Sequence, residues 1–129
     1  MIDIDGTFTH NSGTLSIQSP MDTLLRWPSS SSAYHIKIND DDCIARPTGD
    51  NKPTIAGNLT ITKGEFNTEE GGNDHALTVT GTITVNSTSN TANLNINDSV
   101  VSCAKIAVES ADTITASHSS NAMTVTGAG

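Results

Sequence analysis

Two apolar residues flanking one small or polar residue form a phrase that recurs through the second half of the chain. It reads Leu59-Thr60-Ile61, Leu77-Thr78-Val79, Ile83-Thr84-Val85, Leu94-Asn95-Ile96, Ile106-Ala107-Val108 and Met123-Thr124-Val125. Alternation of period 2 is the signal of a strand with one buried face. A strand of three to five residues with two apolar side chains cannot stand alone in water. Stacked on copies of itself, its backbone pairs with the next coil and its apolar side chains line a thin core. Between the phrases lie Gly, Asn, Asp and Ser, which turns require. Threonine suits the outer face, being β-branched and polar.

Composition supports a narrow core. Of 129 residues, 34% are apolar and 3% aromatic, too few to fill a broad globular interior. Thr, Ser and Asn number 19, 15 and 12. Charged residues are only 16%, so the chain lacks the high charge typical of disorder. No helical period exceeds about two turns. The expected fold is all-β: a small β-solenoid, a β-helix or β-prism-like stack. Leu59 to Leu77 is 18 residues and Leu77 to Leu94 is 17. At ~18 residues per coil, residues 54–129 make about four coils. An antiparallel sandwich is the alternative, since short strands spaced by about 8–12 residues also fit that class.

The chain divides by composition. Residues 1–19 read as short strands around Ile2-Asp3-Ile4, Thr7-Phe8-Thr9 and Leu15-Ser16-Ile17, with a turn at Asn11-Ser12-Gly13. Residues 20–53 hold all four prolines, the only Trp (Trp27), the only Tyr (Tyr34) and four of the six basic residues. They are expected to form an irregular Pro-rich arm. Within it, Met21 to Trp27 has room for about two helical turns before Pro28, and Tyr34 to Ile38 alternates like a strand. The arm is a docking or capping element, with Leu24, Leu25, Arg26, Trp27, Tyr34, Lys37 and Arg46 as candidate partner-binding residues. Trp, Tyr and Arg are the residue types that anchor interfaces.

Net charge is −8. That disfavours nucleic acid and anionic membrane surfaces as direct partners. No apolar run approaches the ~20 residues of a membrane span, and the N-terminus shows no secretory pattern. If Met1 is the true start, the chain is made in a cytosol and stays there or leaves inside an assembly. Cys43 and Cys103 do not make a disulfide framework, though a bridge between them is open.

The phrases Gly57-Asn58-Leu59-Thr60-Ile61-Thr62 and Ala76-Leu77-Thr78-Val79-Thr80-Gly81-Thr82-Ile83-Thr84-Val85 resemble the β-helix or β-prism repeats of phage fibres, spikes and capsid decoration proteins. They are also similar to passenger repeats of autotransporter adhesins, which carry a signal peptide and run to hundreds of residues. The resemblance covers about 75 residues and rests on texture. It implies a non-enzymatic structural protein of a virion, assembled in the host cytoplasm beside other capsid or tail proteins. Three-fold homo-oligomers are usual among such fibres. The alternative is a surface carbohydrate- or ice-binding module.

Asp3-Ile4-Asp5-Gly6-Thr7 resembles the first motif of haloacid-dehalogenase-type phosphatases, which would make Asp3 a nucleophile and Asp5 an acid. That family needs a buried strand before the motif and α/β crossovers, and the chain shows neither pattern. No enzymatic activity and no cofactor is expected. Asn39-Asp40-Asp41-Asp42 and Glu69-Glu70-Gly71-Gly72-Asn73-Asp74 lack calcium-loop spacing and read as solvated turns. His10, His35, His75 and His118 show no zinc spacing and read as surface or loop residues. Thr-x-Thr recurs, but an ice-binding face needs one per coil in strict register, and Asn93-Leu94-Asn95 interrupts it. Sequons at Asn58, Asn86 and Asn97 are expected to be idle.

Overall fold

The computed structural model describes residues 1–3, 9–26, 32–49, 53–87, 92–109, 112–116 and 122–127. In chain order the strands are β1 (Ile2–Asp3), β2 (Thr14–Ile17), β3 (Thr23–Arg26), β4 (His35–Pro47), β5 (Thr54–Ile55), β6 (Leu59–Asn67), β7 (Glu69–Glu70), β8 (Asn73–Asp74), β9 (Leu77–Val85), β10 (Asn93–Asn95), β11 (Val100–Val108), β12 (Thr113–Thr115) and β13 (Ala122–Val125). No helix occurs among the described residues. Among the described residues all strand pairings but one are parallel, and the fold is a β-solenoid of about four turns. The exception is the β7–β8 hairpin, which turns at Gly71-Gly72 and stands outside the stack.

Three ladders of stacked residues run along the solenoid, one for each side of a coil. The first stacks Leu15, Ile36, Leu59, Ile83 and Ile106, with Ile17, Ile38, Ile61, Val85 and Val108 beside them. The second stacks Thr23, Ala45, Phe66, Leu94 and Ile114. The third stacks Ala33, Ile55, Val79, Cys103 and Val125. Each apolar side chain thus lies over another one coil away, and in the middle coils they are sealed from water. Ile38, Leu59, Ile61, Phe66, Ile83, Val85 and Leu94 are all fully buried. At about 1.5–3 kcal/mol for each such side chain, this thin seam is the principal stabilising term.

The repeat is longer than the sequence texture implies. Rungs of the first ladder are 21 to 24 residues apart, from Leu15 to Ile36 and from Leu59 to Ile83 respectively. The 18-residue step from Leu59 to Leu77 crosses from the first ladder to the third, and Leu94 lies on the second. Successive sides of one coil use the same Leu-Thr-Val vocabulary and so imitate successive coils. The second ladder is the irregular one: Phe66 to Leu94 is 28 residues, because the hairpin is inserted there, and Leu94 to Ile114 is 20.

The 20–53 segment also departs from its expected irregularity. Its described residues supply β3 and β4 to the same ladders. Thr23 and Leu25 are buried while Arg26 is exposed, an alternation of period 2 that makes a strand where a helix was expected. Backbone pairing with Ala45 and Pro47 outweighs the local helical tendency of Met21 to Arg26. The Asn11-Ser12-Gly13 turn is present, with positive φ at Asn11 and Ser12. Residues 4–8, including Asp5, lie outside the described residues.

Corners need special backbone. At Gly64, φ is +74°, and a Cβ there would run into the carbonyl oxygens of Asp40 and Cys43 in the coil before. Only glycine satisfies both demands. Thr62, two residues earlier, donates its hydroxyl hydrogen to Ile38 O and Asn39 Oδ1 at 3.1 and 2.6 Å as alternative acceptors.

Candidate functional surfaces

Among the described residues, the candidate partner-binding side chains do not converge on one patch. Leu25 is buried in the core. Leu24 is half-buried and stacks against Arg46 on the second side. Arg46 donates to Glu69 O at 3.1 Å and approaches Asp22 at 3.5 Å. Arg26, on the same side, pairs with Asp3 at 2.7 Å. Tyr34 and Lys37 belong elsewhere: Tyr34 adjoins the third ladder, and Lys37 lies on the first side between Ser16 and Thr60. Trp27 lies outside the described residues.

The last coil forms a different kind of surface. Its rungs Ile106, Ile114 and Met123 are only partly covered, while Val108 and Val125 are 43% and 50% exposed. Among the described residues, no further strand pairs with β12 or β13 on their outer edges. Unpaired edges of this kind are templates for other chains unless charge or proline blunts them. At the opposite end the seam is better closed, with Ile17 and Leu25 almost wholly buried.

The acidic stretches are largely engaged in the fold. Asp40 Oδ1 accepts the Asp42 N–H, and Asp41 pairs with Lys63 at 2.9 Å. That hydrogen bond and the carboxylate charge raise the Lys63 pKa above its usual value. A polar cleft of about 360 Å³ lies beside Asp41, Asp42, Glu65 and Asn93. Glu65 is committed there, accepting from Asn67 at 2.7 Å and from Asn93 at 2.8 Å. Among the described residues, no three His, Cys, Asp or Glu side chains are placed to share a metal ion. Asp3 of the phosphatase-like stretch is the partner of Arg26.

Asparagines at the irregular side were noted in sequence only as a break in Thr-x-Thr and, at Asn97, as an idle sequon. Asn97 donates to Asn67 Oδ1 at 2.7 Å, and Asn93 Oδ1 accepts from Thr113 and Thr115. The Asn-x-Asn spacing of Asn93, Asn95 and Asn97 was the available signal. These bonds join three coils at the point where the repeat length changes. His75, expected at the surface or in a loop, lies in the loop between β8 and β9 and is buried in this corner, its backbone N–H donating to Thr68 O.

Hydroxyls stack in places. Thr54, Thr78, Ser102 and Thr124 form one row on the third side, with Thr78 and Ser102 hydroxyls 3.4 Å apart. Thr60 and Thr84 stack on the first side between Lys37 and Ala107. Asn93-Leu94-Asn95 stacks on Glu65-Phe66-Asn67, a different side from either row.

Both cysteines are free thiols. Burial pushes the Cys43 thiol above its usual range, against hydrogen bonding from Thr23 and Ser19, and burial alone raises Cys103. At the first-coil shoulder Tyr34 sits between His10 and His35, with ring centres 5.0 and 4.5 Å away. No protein-family model, no curated protein and no solved structure matches this chain.

Proposed function

We propose that the protein is a non-enzymatic structural subunit of a viral particle, a phage capsid decoration or tail fibre or spike component, assembled as a homotrimer against other virion proteins in the host cytoplasm. The observation that carries this reading is the parallel β-solenoid of about four turns, a thin seam whose middle rungs are sealed. Val108 and Val125, half-exposed in the last described coil, are apolar positions that a second copy would cover. The repeat texture shared with phage fibre, spike and decoration proteins directs the choice of assembly. The acidic net charge of −8 is consistent with protein rather than nucleic acid as the contact. The test is mass spectrometry of particles purified from the encoding source. The chain is expected in those particles at a copy number divisible by three. Its absence from particles, with the chain recovered as soluble monomer, overturns the proposal.

A further inference from the structure

One row of residues follows the corner between the third and first sides through successive coils: Thr14, His35, Asn58, Thr82 and Lys105. Two of them hold the coil that follows in the same way. Asn58 Oδ1 accepts the Thr82 N–H at 2.9 Å, and His35 Nδ1 accepts the Asn58 N–H at 2.9 Å. The His35 backbone N–H donates to Gly13 O at 3.1 Å, so this one residue ties three coils together. Gly57 permits the close approach, since a Cβ there would stand 2.6 Å from His35 Nδ1.

The two acceptors differ in one respect. An amide oxygen accepts whatever the pH, whereas a ring nitrogen accepts only while it carries no proton. The neutral His35 ring therefore bears its hydrogen on Nε2. Protonation sets a ring N–H against the Asn58 N–H and leaves two opposed donors where a bond had been. His10 is placed in the same way. Its Nδ1 accepts the Ser12 N–H at 3.0 Å, in a turn where Asn11 and Ser12 have positive φ. The titratable or charged groups at this corner, among the described residues, are Tyr34, Lys37 and the two histidines. The Tyr34 ring centre is 4.5 Å from that of His35 and 5.0 Å from that of His10, and Lys37 is two residues along β4 on the same face as His35. The neighbouring coils stack Thr14 and Asn58 on His35, and neither titrates. No carboxylate is among the described residues lining the cleft that the two rings share. An imidazolium therefore gains no ion pair there in exchange for the bond it loses.

We infer that His35 is an acid-sensitive joint of the stack, with His10 as a second, local one: neutral rings hold this corner closed, and their protonation frees the Asn58 and Ser12 N–H groups and loosens the first coils from the rest. Histidine devices of this kind respond between about pH 5 and pH 8. The joint needs no partner chain and is independent of the assembly proposed above.

Amide hydrogen exchange of the whole chain, followed by NMR, tests this. Thr82 serves as the internal reference, because the acceptor of its N–H is an amide oxygen one coil further on. As pH is lowered from about 7.5 to about 5, protection at Asn58 relative to Thr82 is expected to fall about fivefold, the loss of one such hydrogen bond. His35→Asn places in this coil the acceptor that the next coil already uses, and is expected to hold the ratio constant over the same range. A constant ratio in the unaltered protein overturns the proposal, and so does an equal fall in His35→Asn. Where His35→Asn does not fold, the ring itself decides. Long-range ¹H–¹⁵N spectra at about pH 7.5 are expected to show Nδ1 of His35 without a proton, and the Asn58 amide shift to follow protonation of the ring. A proton on Nδ1, or an Asn58 amide that ignores the ring, overturns the proposal.

Discussion

The middle coils and the last coil are built from the same residue types and differ almost entirely in what covers them. Ile61 and Val85, in adjacent coils, are fully buried, whereas Val108, the next rung of the same ladder, is 43% exposed. Cys103 is nearly buried, and Val125, which stacks on it, is half-exposed. A middle rung has a neighbour above and below, so its side chain loses water on both sides. A terminal rung has only one. In a solenoid, therefore, stability follows position in the stack more than residue identity, as nearest-neighbour models of repeat proteins require.

The largest expected effect tests that statement directly. Phe66→Ala removes a fully buried aromatic of the middle seam and is expected to cost about 3–5 kcal/mol. Ile114→Ala, two rungs along the same ladder, is expected to cost less than about 1.5 kcal/mol, because Ile114 is already partly wet. Urea unfolding of both variants measures the difference. Equal losses would remove the distinction between middle and terminal coils.

Glycines make the same contrast with backbone in place of side chains. Gly64→Ala meets positive φ and two carbonyl oxygens of the preceding coil, and is expected to cost at least about 2 kcal/mol. Gly71→Ala, in the outlying hairpin, meets positive φ but open space, and is expected to cost about 1 kcal/mol. Thermal midpoints rank the two.

The thiols sharpen the comparison through pH. Both folded-state values are raised above the unfolded value of 9.0 by burial. A raised folded value means the unfolded chain gives up the proton first as pH increases. The stability contributed by neutral thiols is therefore intact below pH 9.0 and is lost as pH climbs above it. Unfolding free energy is expected to fall between pH 8.5 and 10.5, and Cys43→Ala plus Cys103→Ala to flatten that fall, on buffers spaced by about half a unit.

Val125→Asp is expected to leave the monomer nearly as stable, lowering its unfolding free energy by less than about 1 kcal/mol, because the side chain is half in water. The same change places a charge on the open end and is expected to abolish oligomers in sedimentation velocity. Persistence of trimers in Val125→Asp would move the contact to another side of the stack. The smallest effect belongs to Lys63→Ala. Its partner Asp41 is exposed, and surface pairs of this kind rarely register. No change in thermal midpoint is expected.

Much of the fold was legible in the residues, because a strand pattern of period 2 with two apolar positions has few ways to be buried. The all-β class, the parallel stack and the strands at Leu15-Ser16-Ile17 and Leu59-Thr60-Ile61 follow from that local rule. The repeat length did not, since the three sides of a coil share one vocabulary and nothing local says which couplets are vertical neighbours. The strand at Thr23–Arg26 was hidden by proline and tryptophan nearby, and its pairing with Ala45 to Pro47 joins residues that are distant in the chain. The cluster of Tyr34 with His10 and His35 was beyond sequence for the same reason: Asn58 N–H reaches His35 from one coil away, and no spacing rule records that contact. What the amino-acid order determined by itself was which side of each strand avoids water, a property of two or three adjacent residues. What only the tertiary structure decided was which strands lie on which, because coil length depends on corners such as Gly64 and on the inserted hairpin, and small changes there move every later rung.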